Sequence, residues 1–134
     1  MNKFAMVDRL TDTAADSIGN QAEEAALESH LLALQEQHDQ LDRMGAGAKD
    51  IAELRLQMAR TLVGLGRGDE AWPLGREAFD AFIDNDEFES AADCCEVLFR
   101  AEQPDSLCAL AQGIWLAVSY AIDPGLSIEL LNHV

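Results

Sequence analysis

The stretch Leu62–Phe79, LVGLGRGDEAWPLGREAF, sets glycines at 64, 66 and 68 just ahead of a helical pattern. Two readings of it compete. A spaced glycine run opening a helix can cradle a phosphate on free backbone N–H groups, or it can reverse the chain between two helices. A dinucleotide fold needs G-x-G-x-x-G after a buried strand, and GLGRG has neither the third glycine in register nor a strand before it. A P-loop fails for want of G-K-[ST]. Arg67-Gly68-Asp69 matches an adhesion tripeptide by letter, and reads more simply as a turn with Asp69 as N-cap. The turn reading leaves two helices meeting at Gly66 and Gly68, with Gly64 unexplained because it weakens the last turn of the first helix.

Outward from this turn the periodicity is helical and never alternates as a strand would. A first short helix is predicted from about Lys3 to Ile18, with Val7, Leu10, Ala14 and Ile18 on one face and Gly19 as its stop. Asn20 with Glu23 forms a capping box for a second, in which Leu27, Leu31, Leu34, His38 and Leu41 recur as a short heptad seam. His38 interrupts that seam either as a register-fixing polar residue or as a partly exposed histidine near a helix end. MGAGAKD breaks the pattern, and Asp50 with Glu53 opens a helix reaching about Leu65, with Ile51, Leu54, Met58, Leu62 and Leu65 as core stripe. After GRGD a helix runs from about Glu70 to Ile83, with Pro73 late in its first turn. DNDE opens the next, to about Arg100, and Asp123-Pro124 starts a last one. Sliding the chain so that Leu62, Asp69 and Leu74 fall on Leu98, Asp105 and Leu110 brings apolar positions together without a gap, as a repeated helical hairpin would.

Composition narrows the class. A chain of 134 residues, 49% hydrophobic and 25% charged, fits one domain. The formal net charge of -16, with only nine Lys and Arg, argues against nucleic-acid binding and for a basic partner, if the acidic surface does more than confer solubility. Three cysteines without repeated spacing suit a reducing compartment, and the acidic N-terminus lacks the apolar core of a signal peptide, so a cytoplasmic location is expected. Ser106–Ile122, SLCALAQGIWLAVSYAI, carries no charge. It falls short of the roughly 20 apolar residues of a bilayer span and is flanked by acids, so a buried helix and no membrane partner are expected.

The unit Asp50–Ile83 resembles a tetratricopeptide repeat (TPR): Ala59 stands at the small mid-helix position, Leu62 one turn later, Gly66 at the turn, and Ala71 and Ala78 at the small positions of the second helix. It departs from the pattern at Arg55 and Gly75, where aromatics are usual, and at Ile83, where a proline is usual. A second unit, about Asp86 to Ile122, matches in hydrophobic pattern alone and is longer than the usual repeat of about 34 residues. The resemblance implies an all-α single domain, residues 1–134, with N-terminal helices over 1–45 and antiparallel TPR-like hairpins stacked over 49–134. It implies a protein or peptide partner held on the concave face, which by position presents Glu53, Leu56, Arg60, Val63, Glu89, Ala92, Glu96, Phe99 and Arg100. Leu56 and Val63 lie off the main apolar stripe and serve either a partner or a wider core; Arg60 and Arg100 either grip a partner carboxylate or pair with neighbouring acids.

Chemistry has weaker footing. Adjacent Cys94 and Cys95 diverge on a helix and make a poor metal grip, and buried thiols are the simpler account. His30, His38 and the surrounding carboxylates allow a metal-binding helical bundle, without a paired ligand spacing to support it. No catalytic residue, cofactor or enzyme activity is predicted. A helical oligomerisation domain, built on the heptad segment or the charge-free helix as a homodimer, is the alternative to a non-catalytic interaction module.

Overall fold

The computed structural model describes residues 3–120 and 132–133, with side chains from Gly19 onward. Among the described residues five helices follow one another without a strand: α1 (Lys3–Arg43), α2 (Ala48–Gly64), α3 (Gly68–Asp84), α4 (Phe88–Arg100) and α5 (Ser106–Ser119). The helix expected after Asp123, and the side chains of Val7, Leu10, Ala14 and Ile18, lie outside the described residues.

One expected boundary is overturned. Gly19 and Asn20 stop and cap nothing, because α1 runs through both. A glycine terminates a helix when it takes the left-handed conformation, and Gly45 and Gly66 do so where Gly19 does not. Inside a long helix a glycine merely costs about 1 kcal/mol. The expected caps also shift. The N-cap of α2 is Gly47 and that of α3 is Arg67, so Asp50 and Asp69 sit in first turns, where their charge meets the positive helix end.

Each of the first four helices ends in a left-handed residue: Gly45 (φ 69), Gly66 (φ 74), Asp86 (φ 58) and Glu102 (φ 53). After α2, Arg67 N–H donates to Leu62 C=O at 2.8 Å and Gly66 N–H to Val63 C=O at 3.0 Å. The same pair of bonds closes α1 through Ala46 and Gly45, and α3 through Glu87 and Asp86. These are Schellman motifs, which satisfy the last helical carbonyls and reverse the chain in minimal length. At the end of α4 a side chain completes the motif: the buried Ser106 hydroxyl accepts from Gln103 N–H and donates to Leu98 C=O, each at 2.8 Å.

Two antiparallel hairpins result, α2–α3 and α4–α5, with α3 packed on α4, α2 touching α4, and α1 laid against α2. Small residues set the spacing. Ala52, Ala59, Ala71, Ala78, Ala91 and Ala92 are all but sealed from solvent, and helices approach closely where side chains stop at Cβ. Gly75 faces Leu98 so closely that an added Cβ would lie 2.8 Å from Leu98 Cδ2, which explains a glycine where an aromatic is usual. The backbone at Gly68 lies against the Ala101 carbonyl, and an added Cβ would come within 2.1 Å of its oxygen. Gly64 faces Leu27 of α1.

The seam of α1 closes on α2 within the same chain: Leu31 and Leu34 are buried, and Leu27, His38 and Leu41 half-buried. The described residues cover one half of the charge-free helix. Its Ala109, Leu110, Gly113, Leu116 and Ala117 face inward, while Leu107, Trp115 and Val118 are 72%, 60% and 75% exposed. α4 shields one side of α5, and the opposite stripe has no neighbour to meet it among the described helices. No helix among the described residues is long and apolar enough to cross a membrane.

Candidate functional site

Where α2 passes α4, Arg60, Val63 and Gly64 of one helix face Glu96, Val97 and Arg100 of the other across a hollow of about 190 Å³. Helical spacing puts Arg60 and Val63 on one edge of α2, and Glu96 and Arg100 on one edge of α4. The alanines beneath hold the two helices near enough for both edges to frame one space.

The charges in this hollow are coupled. Arg60 ion-pairs across the helices with Asp93, and Arg100 pairs with Glu96 one turn earlier on its own helix. Both guanidinium side chains are about half exposed, at 46% and 50%, whereas the Glu96 side chain is 6% exposed. A carboxylate so far from water requires partners, and a second one comes from far along the sequence. His133 Nε2 lies 3.0 Å from Glu96 Oε1, and the His133 ring sits 4.9 Å from the Phe99 ring centroid, tilted by 47°. His133 is thus seated beside the hollow.

Four of the residues expected on the concave face, Arg60, Val63, Glu96 and Arg100, line this one space, and Phe99 adjoins it through His133. Leu56 is buried at 6% and Ala92 at 0%, so both belong to the core and neither is presented to a partner. The apolar stripe of α2 is wider than its main row, which accounts for Leu56. Glu53 lies elsewhere, with Asp50, Gln57 and the α1 residues Gln37, Gln40, Leu41 and Met44 around a shallower hollow of about 380 Å³. Glu89 is exposed in the first turn of α4. Both arginines pair with acids, Arg60 with Asp93 of the facing helix and Arg100 with Glu96 of its own.

Two site residues escaped the sequence reading. Asp93 needs the register of α2 against α4 to be recognised, and His133 stands beyond any helical spacing from Glu96. The thiols of Cys94 and Cys95 are buried on α4, and burial pushes both up, Cys95 to about 12. Cys108, by contrast, is exposed. His30 is exposed, and among the described residues no group of three His, Cys, Asp or Glu side chains is placed to hold a metal ion. Compared with protein-family models, with curated proteins and with solved structures, the chain matches none.

Proposed function

We propose that the protein is a non-catalytic interaction module of TPR-like hairpins that holds a partner segment in the groove between α2 and α4. The observation that carries this reading is the engagement of that groove by a remote piece of chain, with His133 against Glu96 and Phe99. A groove with a buried acceptor, two half-exposed arginines and an aromatic wall offers both polar and apolar purchase to an extended segment. The net charge of -16 favours a basic partner and disfavours nucleic acid.

The test is site-directed photo-cross-linking in the full chain, with the photoreactive residue at Val63 or, as control, at exposed Glu77 on the far hairpin helix. A partner recovered through Val63 and lost in Arg60→Ala is the expected result. Recovery through Glu77 alone would place binding elsewhere and end this reading.

A second reading has its own observation. The stripe Leu107, Trp115 and Val118 is apolar, exposed and free of charge, the one kind of surface on which two strongly acidic copies can meet without opposing carboxylates. It supports a homodimer through α5, whereas the heptad seam of α1 is consumed within the chain.

A further inference from the structure

We propose that the α2–α4 groove selects partner segments by a basic side chain delivered to Glu96, and that the segment bearing His133 is a built-in competitor for that place. The inference rests on the interaction reading given above and specifies its ligand. With Glu96 ionised the carboxylate can only accept, so the His133 imidazole is the donor, as a lysine or arginine of a partner would be.

Four features converge on a cationic ligand. Glu96 is the most buried acid of the groove, and its charge gains most from a partner that excludes water. Arg100, from the half-exposed rim of α4, and His133 both meet Glu96 at Oε1, so a second basic group beside the arginine is already accommodated there. Phe99 beside it presents a ring on which an imidazole already stacks at a tilt, and a guanidinium or lysine stem packs on the same surface. Asp93 and Glu96 balance the two arginines of the groove, and the net charge of -16 sets an acidic field around it, so charge complementarity points the same way.

The arrangement also makes binding conditional. A partner residue reaches Glu96 only when His133 leaves, so affinity for any partner is lowered by the strength of the internal contact. Among the described residues His133, 24% exposed, meets Glu96 through a hydrogen bond and Phe99 through a ring contact, and a partner side chain at Glu96 has to replace both.

Fluorescence anisotropy with the labelled peptide Ile128–Val134, IELLNHV, tests this in the full chain. Four peptides are compared: the native one and those carrying His133→Lys, His133→Ala or His133→Glu. A chain with His133→Ala is expected to bind the native and lysine peptides about tenfold more tightly than the alanine and glutamate peptides, the worth of one charge-assisted hydrogen bond. Glu96→Gln in that background removes the preference, and the unaltered chain binds every peptide more weakly because its own His133 competes. Glu96→Asp, which keeps the charge but withdraws it, is the second variant and retains part of the preference. Equal affinity for all four peptides, preference surviving Glu96→Gln, or no measurable binding of any peptide overturns the proposal. A partner that cross-links through Val63 yet shows no basic preference would overturn this selectivity alone and leave the interaction reading standing.

Discussion

Single glycines of one stretch carry unlike duties. Gly66 is required by its positive φ and Gly68 by the Ala101 carbonyl, whereas Gly64 has an ordinary helical backbone and an added Cβ would meet Leu27 Cδ1 at 3.4 Å, a normal contact. Gly68→Ala is therefore expected to cost about 2 to 3 kcal/mol in urea unfolding, since backbone must shift to relieve the clash. Gly64→Ala is expected to gain about 0.5 to 1 kcal/mol, by removing the entropy cost of a helical glycine. Loss of stability in both would show that Gly64 is a packing requirement too. Among the cysteines, burial disfavours the thiolate, and a raised pKa keeps Cys94 and Cys95 protonated and unreactive at neutral and mildly alkaline pH. Ellman's reagent at pH 8 should accordingly titrate Cys108 alone in the native chain, and all three thiols in guanidinium; fast reaction of a second native thiol would contradict the burial.

At the scale of elements, the helix ends follow one scheme with unequal means. Two of the four terminators are glycine and two are acids, and a non-glycine residue in the left-handed region is strained by its Cβ. Asp86→Gly is expected to stabilise the chain by about 1 kcal/mol in thermal unfolding, with no change in helical signal. Ser106→Ala is expected to cost about 1 to 3 kcal/mol, because it removes the acceptor of the Gln103 N–H and leaves the Leu98 carbonyl with the long bond from Ala101 N–H. Helices were legible in the sequence because three- and four-residue apolar spacing survives whatever packs against it. Caps were not: Asp50 and Asp69 are good N-caps by type, but the Schellman turns before α2 and α3 deliver the chain so abruptly that each helix begins a residue or more earlier. Gly19 failed as a stop for a related reason, since glycine permits the left-handed turn without imposing it.

At the scale of the molecule, the face formed by α2 and α4 was half legible. Arg60, Val63, Glu96 and Arg100 follow from helical position alone, while Leu56 was lost to a core wider than its main stripe and His133 arrives through tertiary folding that no local spacing encodes. The uncovered side of α5 sets the assembly question. If it is an interface between copies, light scattering should report a dimer whose mass halves in Trp115→Glu or Val118→Glu with the melting transition retained, while a native monomer at every concentration would exclude it. The approach of Gly68 to Ala101 carries a last consequence. One backbone rests directly on another there, with no side chain between them to compress or re-rotamer, so the inclination of one hairpin on the next is fixed like a machined joint. The α2–α4 groove lies between the two hairpins that this contact joins. If a segment binds there as proposed, a frame held by backbone contact loses little conformational entropy of its own on binding.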